Sequence, residues 1–285
     1  MLFFKNKRDP KKQPIKIYGP TNKVMLFTNA RNEKNMKEWA THHLLIGFDI
    51  IVIFDHKSEI PLKQVFSNFD KRVKVIPCNL ENPIKITLMK KANIIAKLFK
   101  VDWFIYLDAD EFIILNKFMG IKKMLNYFPF AHSLSLNWLI FGTNNLTNDP
   151  SGLIIENFTK SDDQLDIHVK TFVRPTEILS VVNPHYYNMK HIECMFNIDK
   201  KRMYHELGLA YHKSSLSIYD VPAFIAHYIY QSEETYLRRK VNLPKDDTGG
   251  MRLRDEKIHN LHNKVTNEIA KNKYTTIIKK FLDQY

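Results

Sequence analysis

Two aspartates, Asp108 and Asp110, follow five consecutive apolar residues, Trp103 to Leu107, and lead into Glu111 and Phe112. Carboxylates at positions i and i+2 of a strand share a face about 7 Å apart. A cation can then meet one directly and the other directly or through water. Carboxylate oxygens suit the hard ions Mg²⁺ and Mn²⁺, which keep coordination positions open for substrate phosphates. The alternative is a solvated turn whose acids cap the next helix. The apolar run favours the metal, because acids at a buried strand end are costly without a counter-charge. On this reading Asp110 is a direct ligand and Asp108 a direct or water-mediated one. Exchanging Asp110 for asparagine is then expected to leave stability unchanged or raised, since it relieves repulsion between neighbouring anions.

The elements that must position the pair can be read from the spacing upstream. Val24 to Thr28 is a short apolar run, and Glu33 to Gly47 carries Met36, Trp39, Ala40, His43 and Leu44 at helical spacing. Ile50 to Phe54 and Val73 to Pro77 predict two further strands. Ile86 to Lys100 places Leu88, Ala92, Ile95 and Phe99 on one helical face before the strand Trp103 to Leu107. Unbroken apolar strands alternating with amphipathic helices imply a parallel sheet covered on both faces, so the first 110 residues predict a Rossmann-like α/β fold. Ligands of such sheets bind beyond the carboxyl ends of the strands. After Leu115 the spacing predicts strands at His132 to Trp138, Lys170 to Arg174 and Ala223 to Ile229. The loops Gly142 to Lys160 and Asn242 to Arg254 have the composition of mobile covers, and from Asp255 the pattern reads as helical. In the second loop Gly249 and Gly250 supply backbone freedom and Lys245, Arg252 and Arg254 supply cations, which suits closure over a phosphate-bearing ligand.

The chain has 285 residues, 44% of them hydrophobic and only 8 glycines, which suits one packed domain rather than a linker-rich array. The most hydrophobic stretch is interrupted by Asp108, Asp110 and Glu111, so no window reads as a membrane span. Residues 1–23 hold Lys5, Lys7, Arg8, Lys11, Lys12 and Lys16 after a short apolar start. They predict a flexible basic arm that could touch a membrane periphery, with no secretory signal. Cys78 and Cys194 form neither a metal spacing nor a disulfide framework, in keeping with a cytoplasmic setting. The Lys, Asn and Ile usage is that of AT-rich genomes, large DNA viruses among them, in which case the cytoplasm would be a host's. The net charge of +13 favours polyanions without choosing among them.

Several motifs now fall in order. Arg31-Asn32-Glu33, Glu38-Trp39, His43-Leu44-Leu45 and Gly47-Phe48-Asp49 follow the first strand, and Asp55 with Ser58 follows the second. Trp103 with Asp108-Ala109-Asp110-Glu111-Phe112, Trp138 with Phe141-Gly142, and Lys170 with Val173-Arg174-Pro175 come next. Pro184-His185 and His227-Tyr228 with Ser232-Glu233 and Lys240 complete the set. Over residues 24–242 this series resembles the GT-A glycosyltransferases of the family 2-like and family 92 group. Gln231, where a lysine often stands, and Asn242-Leu243-Pro244, where an Arg-Gly turn is common, depart from it.

The resemblance implies a GT-A domain over residues 24–285, a Rossmann-like nucleotide-sugar-binding half with a mixed central sheet joined to an elaborated acceptor-binding half. Residues 24–115 would bind the nucleotide sugar, 116–254 would form the acceptor side and 255–285 a helical end. It further implies an Mn²⁺- or Mg²⁺-dependent transfer from a nucleotide-diphosphate sugar, UDP-linked by preference, to a glycan, protein or lipid-linked acceptor, with inversion. Thr28, Asn29, Arg31 and Asp55 would hold the donor, with Asn93 and Asp108 approaching it. His227 would be the third metal ligand beside Asp108 and Asp110, with His185 in reserve. A core histidine with satisfied hydrogen bonds is the other reading of His227, and an ordinary turn residue that of Asp55. Asp162 and Asp163 are candidate bases for the acceptor hydroxyl, in competition with Glu156 and Asp247.

Other classes have less support. The basic residues are dispersed and match no zinc-finger, RNP or basic-zipper pattern, so nucleic acid is not the expected partner. A phosphotransferase or hydrolase with Asp108 as nucleophile lacks the threonine or valine two positions after the second aspartate. No G-x-G-x-x-G follows the first strand, as a dinucleotide oxidoreductase requires. A glycosyltransferase-shaped binding module without turnover stays open.

Overall fold

A computed structural model describes residues 16–203 and 212–285. The chain runs through β1 (Val24–Ala30), α1 (Met36–Leu45), β2 (Ile50–His56), α2 (Leu62–Val65), β3 (Val73–Cys78), α3 (Lys85–Leu98) and β4 (Trp103–Tyr106). Then come β5 (Glu111–Leu115), α4 (Ile121–Asn126), β6 (Ser133–Ile140), α5 (Ile154–Asn157), β7 (Lys160–Ser161) and β8 (Val169–Val173). The short strands β9 (Ile178–Ser180), β10 (Asn188–Met189) and β11 (Met195–Asn197) lead to β12 (Ala223–His227) and α6 (Glu233–Tyr236). The chain ends with β13 (Val265–Thr266) and α7 (Ile269–Leu282).

The central sheet has the order β3-β2-β1-β4-β8-β6-β12-β5, with β11 added beside β6. β3, β2, β1 and β4 are mutually parallel, as expected from the alternation of strand and helix and from the unbroken apolar runs of β1, β2 and β4. All seven residues of β1 are buried, and alternate side chains feed two separate cores. Val24 and Leu26 pack with Trp39 and Leu44 of α1 and with Tyr274 and Ile278 of α7. Met25 and Phe27 pack with Leu88, Met89, Ala92 and Ala96 of α3. Helices therefore cover both faces, which is why this half shows no polar alternation. Beyond β4 the sheet is mixed: β8 runs antiparallel to β4 and β6, and β12 is parallel to β6 but antiparallel to β5.

The stretch from Trp103 to Leu115, so apolar that it reads as one strand, is two. β4 ends at Tyr106 and the chain reverses at Asp108 to Asp110, where the Glu111 amide donates to the Asp108 carbonyl at 3.1 Å. β4 and β5 stand four places apart in the sheet, about 19 Å if it were flat. A tight turn cannot cross that gap, so the sheet must curl, and its two halves face one cleft.

Three other expectations change. From Asp255 until Ile269 the chain forms no α-helix, only a 3-10 turn at Ile258–Asn260 and β13, because partners capture it: β13 pairs with β7, and the Asn144 amide donates to Asn263 Oδ1 at 3.0 Å. The segment Gly142 to Lys160 is not a loose cover, since Glu38 accepts the Ile154 and Ile155 amides at 2.7 and 3.1 Å. Gly142 itself is required there, as a Cβ would stand 2.4 Å from Asn263 Oδ1. Residues 1–15 of the basic arm lie outside the described residues, but the arm's last residues are docked. The Tyr18 amide donates to the Pro129 carbonyl, its hydroxyl donates to Glu177 at 2.8 Å, and the Arg174 guanidinium sits 3.6 Å over its ring. Among the described residues no helix is long and apolar enough to cross a membrane. Cys78 and Cys194 are buried free thiols.

Candidate functional site

A cleft of 290 Å³ opens where the ends of β1, β4, β6, β8 and β12 meet. β1 delivers Asn29 and Arg31, the β4–β5 turn delivers Asp108 and Asp110, and β6, β8 and β12 deliver Trp138, Lys170 and His227. A π-helical turn, Leu237–Val241, adds Arg239 and Lys240, and the loop after it adds Asp246, Asp247 and Arg252. Such turns recur at functional sites because the extra residue redirects side chains. Seven lysines and arginines line the cleft against five carboxylates, so its field selects an anion.

The two aspartates do not share a strand face. Asp108 Oδ2 lies 2.9 Å from Lys170 Nζ and its Oδ1 pairs with Lys85, while its amide donates to Glu111 Oε2 at 2.8 Å. Burial would push this carboxyl up, but Lys170 and Lys85 outweigh burial and hold it well below the usual carboxylate range. For Glu111 burial and the two neighbouring aspartates outweigh Lys170 and the Asp108 amide, and it is pushed up to about 8.

Asp110 is wholly buried and faces the other way. Its Oδ2 lies 2.8 Å from Lys240 Nζ and 3.1 Å from Arg239 Nη2, and its Oδ1 lies 3.6 Å from His227 Nε2. Here too burial raises the carboxyl, and Lys240 and Arg239 overcome it and keep the carboxylate charged. Glu33 fixes Arg239 through a 2.7 Å contact to Nε. Burial lowers the His227 imidazole despite the pull of Asp110, so it is neutral at pH 7. Neither of its ring nitrogens has a hydrogen-bond partner, although its ring packs 4.3 Å from Trp138. A buried imidazole without partners is expensive unless a ligand completes it.

Among the described residues no three His, Cys, Asp or Glu side chains are grouped to hold a metal. The triad Asp108, Asp110 and His227 is therefore not assembled as three, because lysines engage both oxygens of Asp108. Asp110 and His227 do stand together. One carboxylate oxygen and one orphaned neutral imidazole nitrogen at 3.6 Å are a donor pair suited to Mn²⁺ or Mg²⁺, with other positions left for phosphate oxygens. Two donors of the expected three thus stand together, with Lys240 and Arg239 on the second oxygen of Asp110.

The other predicted residues divide sharply. Asn29 and Arg31 line the cleft, whereas Thr28, Asp55 and Asn93 do not. Asn29 is a hub rather than a free ligand group: Oδ1 accepts Lys85 Nζ at 2.9 Å and the Tyr106 hydroxyl at 3.0 Å, and Nδ2 donates to Asp246 Oδ2 at 2.5 Å. Asp55 accepts the Ser58 and Leu62 amides and so holds the turn into α2. The buried Thr28 hydroxyl turns to the Asn29 carbonyl. Asp162 and Asp163 lie outside the lining: Asp162 contacts His262 Nδ1 at 2.6 Å and Asp163 contacts Lys264 at 3.1 Å. Asp247 does line the cleft, and it has no hydrogen-bond or ion-pair partner among the described residues. His185 lines it as well, with Nδ1 3.0 Å from the Val169 carbonyl and a pKa pushed down to about 3 by burial and Lys170.

Sequence reasoning placed Lys170 and Lys240 in its motifs but gave no role to them, and it did not single out Lys85 or Arg239. Lys85, Lys170, Arg239 and Lys240 carry the electrostatics, and Lys170 gave one signal, a charge inside an apolar strand. The loop from Asn242 to Arg254 is already seated, because the Asp246 carbonyl accepts the Ile84 and Lys85 amides at 2.8 and 2.9 Å. No protein-family model matches the chain, and no curated protein matches it either.

Proposed function

We propose that the chain is a divalent-metal-dependent glycosyltransferase of the GT-A type, acting on a nucleotide-diphosphate sugar. The observation that carries the reading is the pairing of Asp110 with the orphaned His227 imidazole, in a cleft where guanidinium nitrogens of Arg31, Arg239 and Arg252 are buried without hydrogen-bond partners. A carboxylate and an imidazole that could hold an ion, beside guanidinium nitrogens left without partners, suit a nucleoside diphosphate better than a neutral ligand.

Arg31, Arg239, Lys240 and Arg252 would hold the diphosphate and stabilise the charge that grows on it as the bond from the anomeric carbon to the phosphate oxygen breaks. Asp110 and His227 would hold the ion, which when bound would supply further neutralisation of that leaving group. The acceptor oxygen forms the new bond to the anomeric carbon from the opposite face, and its proton passes to Asp247, the cleft carboxylate without a partner. Neutral His185 and the Trp138 ring flank the same space and can orient a hydroxyl-rich acceptor without adding charge.

The test is a thermal-shift screen of nucleoside diphosphates and their sugars with and without Mn²⁺. Stabilisation by a uridine or guanosine diphosphate sugar only when metal is present supports the reading; a ligand at a hundred times its Kd adds about 2.7 kcal/mol. Metal-independent binding of mononucleotides or of nucleic acid instead would overturn it.

A further inference from the structure

Helix α3 turns one face to the second core and leaves the other without a partner. Leu88, Met89, Ala92 and Ala96 point inward. Lys90, Ile94, Lys97 and Leu98 follow one another at i, i+4, i+7 and i+8, the spacing of a single face, and all are exposed. Ile94 is 59% exposed, Leu98 74% and Phe99, just past the helix, 50%. Lys91 and Lys100 flank them, and no acid occurs between Pro83 and Val101. Large apolar side chains held open to solvent in the middle of a lysine ring are costly in water and need a covering surface.

A second pair of exposed apolar side chains lies in the loop seated on the other end of the helix. The cleft loop packs on the start of α3 through Asp246, and directly after its glycines Met251 and Leu253, 59% and 91% exposed, alternate with Arg252 and Arg254. The acids near this end are Glu81, paired with Lys57, Asp246, which accepts from Asn29, and Asp247, with Asp255 and Glu256 following the tip.

We propose that the outer face of α3, with the Met251–Leu253 tip, docks on an anionic lipid bilayer. Lysines around an apolar centre match a surface of anionic headgroups over hydrocarbon, the pattern of helices that lie in the interface plane. A second copy of the chain fits poorly, since a twofold contact would set these four lysines against four identical ones. Nucleic acid fits poorly too, because Ile94 and Leu98 occupy the centre of the face, where phosphates would have to sit. Lys85 at the start of α3 lies in the cleft, so docking brings the cleft mouth to within about 20 Å of lipid along a 14-residue helix. If the glycosyltransferase reading holds, the acceptor is lipid-borne. The docking surface itself does not depend on that reading.

The experiment is flotation of the full chain with vesicles of neutral phosphatidylcholine, alone or with 30–40% (roughly) phosphatidylserine, without nucleotide or metal. The expected result is at least about tenfold stronger binding to the anionic vesicles, weakened by salt. The variant Leu98→Glu/Phe99→Glu should lose most of that binding while keeping the thermal midpoint, because both side chains are already exposed. Lys90→Gln/Lys97→Gln should reduce it less. Equal binding by wild type and the Leu98→Glu/Phe99→Glu variant, or binding lost only when residues 1–15 are deleted, would overturn the proposal. So would concentration-dependent dimerisation that the same variant abolishes, seen by sedimentation. Because neither metal nor nucleotide is present, failure here is separate from failure of the transfer reading.

Discussion

Asp55 and Asp110 are both buried and both stand where a strand of the central sheet meets a turn, yet they are held by different kinds of group. Asp55 accepts two backbone amides, those of Ser58 and Leu62. Asp110 meets only side chains: Lys240, Arg239 and His227. A backbone donor cannot leave without unfolding its turn, whereas an ammonium on four methylenes can swing aside by rotating about single bonds. The first arrangement makes a carboxylate part of the scaffold. The second keeps one charged and exchangeable, which is what a site for a mobile cation needs.

The largest effect that could break this comparison is expected at Asp110. Asp110→Asn should lower sugar transfer by about 10³-fold at saturating Mn²⁺. It should also destabilise the fold by about 3 kcal/mol in urea unfolding, because Arg239 is left buried with one counter-charge fewer. The simple expectation from the i, i+2 pair was relief of repulsion; the surrounding cations reverse its sign. Near-normal turnover in this variant would remove Asp110 from the site.

Glu38 sharpens the contrast, since it is held by two amides with no cation nearby. Burial pushes its pKa up to about 7, ahead of the opposing pull of the Ile154 and Ile155 amides. A folded-state value raised above 4.5 gives stability that is complete below pH 4.5 and lost as pH rises through 7. Wild type should therefore lose on the order of 3 kcal/mol more than Glu38→Gln across that window. Parallel stability profiles for the two proteins would contradict this.

Lys240→Met removes the most exposed of the cations on Asp110. Calorimetry without nucleotide should show Mn²⁺ binding about tenfold tighter than in wild type, or about 1.4 kcal/mol, with nucleoside diphosphate binding weakened. Unaltered metal affinity would mean that Lys240 does not compete for the carboxylate. The smallest effect is expected at Asp55, where Asn should cost about 1 kcal/mol of stability and leave the metal requirement of donor binding unchanged. A shifted metal requirement there would erase the distinction between the two aspartates.

How far these features could be read from sequence follows the same division. β1, β2 and α3 were legible because burial on both faces demands unbroken apolar runs, and a helix between them demands the other period, while β3, a half-exposed edge strand, was legible from its β-branched residues. β5 was hidden, since Ala109 and Asp110 turn the chain with no glycine or proline to mark the place. The irregular stretch before α7 was misread because its helical pattern is overridden by contacts with β7 and Asn144. In the site, Asp108, Asp110, His227, Asn29 and Arg31 were found and do gather at one cleft. What stayed out of view was the partner of each charge. Lys85 lies 23 positions from Asp108 and Lys170 lies 62, and it is the crossover through α3 and the pairing of β8 with β4 that bring them together.

The seat of the cleft loop has a consequence for how motion could be watched. One carbonyl, that of Asp246, accepts the amide protons of both Ile84 and Lys85, where the first turn of α3 has no intrahelical acceptor to offer. If the loop swings out, those two protons are released to solvent at once, while amides deeper in the helix keep their own acceptors. Deuterium uptake at Ile84 and Lys85 is thus a built-in clock for the cleft, readable by mass spectrometry in a protein carrying no label. A ligand that locks the loop would slow that clock without touching the rest of α3.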